Sequence, residues 1–66
     1  MPREPLNYWF GIEDEESEFC GEEFFVQAFS FKSAKRIAQD LFPKETLSYY
    51  GVVSDYRAES MGLDTY

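Results

Sequence analysis

The chain has 66 residues, with 13 acidic side chains against 6 basic ones and a formal net charge of −7. This length predicts one domain, residues 1–66, and the acidic balance argues against direct nucleic-acid binding, because phosphate neutralisation needs clustered lysine and arginine. No apolar run is long enough to span a membrane, and the single cysteine, Cys20, indicates a reducing, cytoplasmic setting.

Two strands are predicted in the first half of the chain. Residues 1–6 carry two prolines and are expected to form an extended lead-in. Residues 7–13 and 22–29 are rich in aromatic residues and follow a period of two, which is typical of strands. The polar segment between them predicts a turn, with Gly21 free to adopt a positive φ. Because this connection is short, we expect an antiparallel hairpin.

A helix is predicted next. Ser30 is a suitable N-cap, and Pro43 ends the helix because proline disfavours a helical conformation of the residue before it. The basic residues of this segment fall outside the apolar stripe, which predicts a basic outer surface. The stripe recurs at spacings of three and four residues: Phe31, Ala34, Ile37, Ala38 and Leu41.

The last elements complete an α+β fold. Residues 46–53 are β-branched and aromatic and predict a third strand. Ser54 and Gly62 predict the start and end of a short helical turn. We therefore expect a ββαβ plan: a three-stranded antiparallel sheet with one helix on one face and a short C-terminal helical turn.

One face of this sheet is expected to carry uncovered aromatic rings. If Val26 and Ala28 point at the helix, the period of two directs Phe25 and Phe29 away from it. Their exposure would mark a surface for a partner or for a second copy of the chain. The alternative is that the C-terminal segment folds over these rings.

Seven carboxylates crowd into residues 13–23, which we call the acidic tip. Catalysis there is disfavoured, because paired carboxylates need a pocket that separates their pKa values. The run also lacks the alternating spacing of a calcium loop, and no motif for a cofactor or another metal is present. Two interpretations remain: a solvated turn that keeps the protein soluble, or an electrostatic mimic of a phosphate backbone.

Residues 30–38, with the sequence SFKSAKRIA, resemble the helix start of a small anti-CRISPR family that blocks the type I-F surveillance complex. The shared features are Ser30 and the run from Ala34 to Ala38. The resemblance implies a helix after a β-hairpin and a phage-type inhibitor of a bacterial defence system. That family is basic, whereas this chain is strongly acidic.

The leading hypothesis is a non-enzymatic inhibitor, encoded by a phage or mobile element, that acts in the bacterial cytoplasm. It would bind a basic, nucleic-acid-binding surface of a defence effector, without contacting nucleic acid or membrane itself. The alternative is a self-associating module that is either a structural accessory or a protein that sequesters a signalling nucleotide between protomers. The candidate partner-binding residues are Trp9, Glu13, Asp14, Glu15, Glu16, Glu18, Phe25, Phe29 and Tyr50.

Overall fold

Three antiparallel strands and two helices build the α+β fold in the computed structural model, which describes residues 4–66. The predicted plan is confirmed, with bounds that differ by one or two residues. Leu6, expected in the lead-in, already belongs to the first strand, and residues 1–3 of that lead-in lie outside the described residues. The elements are β1 (Leu6–Ile12), β2 (Glu23–Ala28), α1 (Phe31–Leu41), β3 (Leu47–Val53) and α2 (Asp55–Met61).

The first strand occupies the centre of the sheet, in the order β2-β1-β3, and both of its neighbours are antiparallel to it. The pairing of β1 with β3 shifts between Trp9 and Phe10: Trp9 faces Gly51, whereas Phe10 faces Tyr49. Tyr50 is therefore the extra residue of a β-bulge, a feature that bends a strand and redirects a side chain. This bulge sets the direction of Tyr50.

The core lies between α1 and one face of the sheet. Tyr8, Phe10 and Ile12 of β1 supply its centre, together with Phe24, Val26 and Ala28 of β2. The helix contributes Ala34 and Ala38, both of which are fully buried. Because alanine is small, the helix backbone can approach the sheet closely, and the rings of Tyr8, Phe10 and Phe24 pack beneath it together with Ile12 and Val26.

Both helices begin and end at the predicted residues. The Ser30 side chain accepts a hydrogen bond from the Ser33 N–H at 3.2 Å, and Ser54 accepts one from the Arg57 N–H at 3.3 Å. Such caps satisfy backbone donors that have no partner inside the helix. Gly62 ends α2 with φ of 67°, a left-handed conformation that costs glycine little.

The C-terminal segment continues the sheet beyond β2. The Phe25 N–H donates to the Asp64 carbonyl at 2.8 Å, and the Tyr66 N–H donates back to the Phe25 carbonyl at the same distance. A third bond joins the Gln27 N–H to the Tyr66 carbonyl at 2.9 Å. These bonds form a short parallel bridge between Phe25 and Thr65. The chain therefore satisfies the outer edge of β2 with its own C-terminal residues.

The expectation that Phe25 is exposed is wrong. Its side chain lies outside the α1 core, as the period of two predicts, but it is 0 % exposed. The alternative, in which the C-terminal part of the chain covers this face, describes Phe25 correctly. Phe29 is 50 % exposed, so the cover does not extend past the end of β2.

Asn7 connects the start of α2 to the face of the sheet opposite α1. Its buried amide nitrogen donates to the Val53 carbonyl at 3.2 Å and to Asp55 Oδ1 at 2.6 Å, while its oxygen accepts from Gln27 Nε2 at 3.1 Å. A buried amide is expensive unless it is paired, and Asn7 is paired at both ends. The network links β1, β2 and the start of α2.

We expect Phe25→Ala to lower the free energy of unfolding by about 3–5 kcal/mol, because it opens a cavity in a fully buried site. Phe29→Ala removes the same group from a half-exposed position and should cost far less. Denaturant unfolding of the two variants measures the difference. Equal losses would contradict the burial of Phe25 beneath the C-terminal cover.

Candidate functional site

The acidic tip is ordered by its own short-range hydrogen bonds. Asp14 Oδ1 accepts from the Glu16 N–H at 3.1 Å, and the Asp14 carbonyl accepts from the Ser17 N–H at 3.0 Å. Ser17 Oγ in turn accepts from the Phe19 N–H at 3.0 Å. Aspartate and serine hold turns in this manner because their short side chains reach the backbone two residues ahead. Asp14, predicted as a docking residue, therefore stabilises the turn.

Backbone bonds close the base of the tip. Ile12 donates to the Glu22 carbonyl and accepts from the Gly21 N–H, both at 2.9 Å. Gly21 has φ of 90°, as its predicted role in the turn requires. The Glu13 N–H donates to the Thr46 carbonyl at 2.9 Å, which ties the tip to the start of β3. The tip is thus anchored to all three strands.

The ordered tip presents a dense negative surface. Asp14 is half-buried, and the other six carboxylates of the tip are exposed. Carboxylates held this close together repel one another and give a local field that attracts cations and basic protein surfaces. The exposed acids are Glu13, Glu15, Glu16, Glu18, Glu22 and Glu23.

An aromatic surface adjoins the tip on the face of the sheet opposite α1. The Trp9 and Tyr50 rings have centroids 5.0 Å apart and are tilted by 55°. Tyr50 lies across Gly11, where an added Cβ would come within 2.5 Å of Tyr50 Cε2. Glycine at position 11 therefore leaves the space in which the ring lies. We call Trp9, Tyr50 and their two glutamate partners, Glu13 and Glu23, the Trp9–Tyr50 face.

Hydrogen bonds connect these rings to the acids. The Tyr50 hydroxyl donates to Glu13 Oε1 at 2.7 Å, and Trp9 Nε1 donates to Glu23 Oε1 at 3.0 Å. Glu13 and Glu23 are the first and last residues of the tip. Each end of the negative surface is therefore joined to one ring of the Trp9–Tyr50 face, and charge and apolar area form one continuous surface.

The carboxylates also change the acidity of Tyr50. The hydrogen bond to Glu13 raises its pKa to about 12, with further contributions from burial and from the charges of Glu13 and Glu23. A phenolate beside two carboxylates is unfavourable, so the neutral hydroxyl is retained. Tyr50 thus remains a hydrogen-bond donor throughout the physiological range.

The predicted binding residues fall into separate groups. Trp9, Glu13 and Tyr50 lie together, and the exposed tip residues Glu15, Glu16 and Glu18 belong to the adjoining turn. Phe25 is buried, and Phe29 follows the end of β2 away from the tip.

Sequence reasoning missed Gly11, Glu23 and Phe19 as site residues. A signal existed for Glu23, which the predicted hairpin places near Trp9 on the same face. The position of Gly11 beneath Tyr50 depends on the bulge, for which the sequence gives no local signal.

A pocket of about 270 Å³ opens beside the tip, at the outer edge of β2. Phe24 and Phe42 have ring centroids 5.0 Å apart, Phe19 packs on Phe42 at 5.8 Å, and Tyr66 packs on Phe24 at 5.7 Å. These four rings make its apolar walls. Three carboxylates complete the lining: Glu22, Glu23 and Asp64.

A second exposed apolar surface lies at β3, on the face that carries α1. Phe31 and Tyr49 have ring centroids 4.6 Å apart, and both are more than one-third exposed, as is Val52. We call these three residues the β3 patch. Within residues 4–66, β3 forms the outer edge of the sheet, and no bridge outside the named strands involves it.

No group of three or more Cys, Asp or Glu side chains in residues 4–66 is arranged to hold a metal ion. No helix in this part of the chain has both the length and the apolar character needed to cross a membrane.

Comparisons with protein-family models, with curated proteins and with solved structures gave no match to this chain.

We expect Glu13→Ala to bring the pKa of Tyr50 down from about 12 towards its ordinary value of 10. Alanine removes both the hydrogen-bond acceptor and the charge through which Glu13 disfavours the phenolate. Alkaline titration followed by ultraviolet absorbance measures the change, and Tyr50→Phe identifies the late-titrating group.

The sign of the accompanying stability change follows from the raised pKa. The contribution of Tyr50 is present below pH 10 and is lost as the pH rises through about 12. Tyr56→Phe is the matched control, because Tyr56 is 84 % exposed on α2. An unchanged late titration in Glu13→Ala would contradict the hydrogen bond to Glu13.

Proposed function

We propose that this chain is a non-enzymatic protein-binding domain that occupies a basic, nucleic-acid-binding surface of a partner protein. The observation that carries the proposal is the continuity of the acidic tip with the Trp9–Tyr50 face. Six exposed carboxylates lie on a turn ordered by its own hydrogen bonds, and the ends of that turn are bonded to two surface rings.

The carboxylates supply the recognition of basic groups. Lysine and arginine donate hydrogen bonds to carboxylate oxygens as they do to phosphate oxygens, and arginine binds both groups in a bidentate manner. Because the tip is already folded, binding does not carry the entropic cost of ordering a self-repelling segment. The concentrated charge should accelerate association and make affinity sensitive to salt.

The rings supply the apolar part of the contact. Trp9 is half-buried and Tyr50 is exposed, so both are held in place and still accessible. Tryptophan, tyrosine and arginine are the residues that most often dominate interface energetics. An arginine on the partner that stacks on the Trp9–Tyr50 face would also meet the adjoining carboxylates of Glu13 and Glu23.

The more specific role, inhibition of a bacterial defence system in the host cytoplasm, is supported by the resemblance at residues 30–38. In the structure this segment is the start of α1, with Ser30 as the cap and Ala34 and Ala38 in the core. These shared residues hold the helix in place. The acidic tip is the part of this chain through which inhibition by occupancy would operate.

We expect the triple variant Glu15→Lys, Glu16→Lys, Glu18→Lys to lose capture of basic proteins from a bacterial lysate. The matched control carries Glu4→Lys, Asp40→Lys and Glu59→Lys, which are exposed and outside the tip. Each substitution adds two charges, so both triple variants change the net charge from −7 to −1. Only the tip variant removes the proposed contact.

Nucleic acid should compete with wild-type capture, because it would occupy the same partner surface, and wild-type affinity should fall as salt rises. Equal capture by the two triple variants would overturn the proposal. Capture that added nucleic acid does not reduce would contradict the mimicry of phosphate.

Self-association is the second candidate, and the β3 patch favours it. No charged side chain is present from Leu47 to Val53, so the edge strand lacks the lysine or inward charge that commonly blocks pairing. In a two-fold arrangement of antiparallel β3 strands, the acidic tips of the two copies would lie at opposite ends. Self-pairing would therefore bring the uncharged surfaces together and keep the negative ones apart.

Light scattering as a function of protein concentration tests this candidate. We expect Val52→Lys to shift any dimer towards monomer, because it places a charge on the exposed edge strand. Glu59→Gln, on α2 and outside β3, is the matched control, because both variants change the net charge from −7 to −6. A wild-type protein that remains monomeric at millimolar concentration would exclude self-association through this patch.

A further inference from the structure

We infer that the pocket formed by Phe19, Phe24, Phe42 and Tyr66 receives one arginine side chain of the protein partner. This inference rests on the proposed function and names the group that the pocket would take. It concerns a second contact, which shares Glu23 with the Trp9–Tyr50 face.

The size of the pocket restricts its occupant. At about 270 Å³ it lies below the range of sites for drug-sized ligands and cofactors, which begins near 300 Å³. A single extended side chain is an occupant on this scale. The pocket lies beside the acidic tip, so a partner surface that meets the tip would also reach it.

The aromatic walls of the pocket favour an occupant with an apolar stem and a flat, cationic end group. Phe24 is almost fully buried and belongs to the core, whereas Phe19 and Tyr66 are 40 % and 48 % exposed and form the accessible sides. Ring faces attract cations through their quadrupole, and they pack against methylene groups. Rings inclined at different angles, with Phe19 edge-on to Phe42, present both faces and edges to an occupant.

The carboxylates of the pocket lining favour a positively charged occupant. Glu22, Glu23 and Asp64 line the pocket and are exposed, and they come from the tip, from β2 and from the C-terminal segment. The Asp64 carbonyl accepts a hydrogen bond from the Phe25 N–H, which holds the backbone of Asp64 beside β2. Aromatic walls and carboxylates together favour guanidinium over ammonium, because guanidinium is planar, weakly hydrated and able to bind a carboxylate through two N–H groups.

The test is an NMR titration of the whole chain with ethylguanidinium, with ethylurea as its neutral isostere and n-butylammonium as the lysine analogue. We expect saturable shifts of the Phe19, Phe42 and Tyr66 ring resonances at millimolar ethylguanidinium. Ethylurea should bind at least tenfold more weakly, and butylammonium should also bind more weakly. Shifts spread over all carboxylates without saturation, or equal binding of ethylurea, would overturn the inference.

Two variants locate the site. Phe19→Ala and Tyr66→Ala should each weaken ethylguanidinium binding by about tenfold, whereas Tyr56→Ala on α2 should leave it unchanged. The backbone spectrum shows that each variant is folded, and Tyr66→Ala retains the backbone bonds to β2. Unchanged binding in both folded pocket variants would also overturn the inference.

The capture experiment and the ethylguanidinium titration distinguish a failure of the proposed function from a failure of the pocket inference. If ethylguanidinium binds in the pocket but no basic protein is captured, the pocket stands and the proposed function fails. If basic proteins are captured through the tip but the pocket does not bind the probe, the pocket inference fails alone.

Discussion

The architecture depends on the alternation of side chains along the central strand. Tyr8, Phe10 and Ile12 point into the α1 core, which leaves Asn7, Trp9 and Gly11 for the opposite face. Each of these three has a separate role there: Asn7 binds the start of α2, Trp9 is part of the exposed aromatic surface, and Gly11 leaves space for Tyr50. A shift of one residue in strand register would exchange the core residues with those of the opposite face.

Much of the fold was predictable because its signals are local. The caps at Ser30, Ser54 and Gly62 are encoded in short stretches of sequence, and the structure confirms all three. The burial of Phe25 was not predictable in this way. It depends on contacts between residues far apart in the chain: Asn7 with Asp55, 48 residues away, and Phe25 with the C-terminal residues. Patterns within one segment do not specify such pairings.

The candidate site was also predicted only in part, because some of its features are local and others depend on contacts between distant segments. The acids of the tip are visible in the sequence, and Trp9 and Tyr50 follow from their positions in predicted strands. Their arrangement depends on the bulge that leaves Tyr50 unpaired in the β1–β3 ladder. Asp14 illustrates a further limit: the sequence shows a carboxylate, but only the structure shows that this oxygen holds the turn. The number of carboxylates in the tip could be counted from the sequence. Which of them stabilise the turn and which remain available on the surface could not be.

The most direct test of the central claim is the hydrogen-exchange footprint of a captured basic partner on this protein. The proposed function predicts slower amide exchange on binding in residues 13–23 and around Trp9 and Tyr50, with α2 unchanged. The acidic tip should be the most strongly protected segment, because it is the exposed part of the proposed interface. Protection confined to α1 and the β3 patch, with the tip unaffected, would contradict the account.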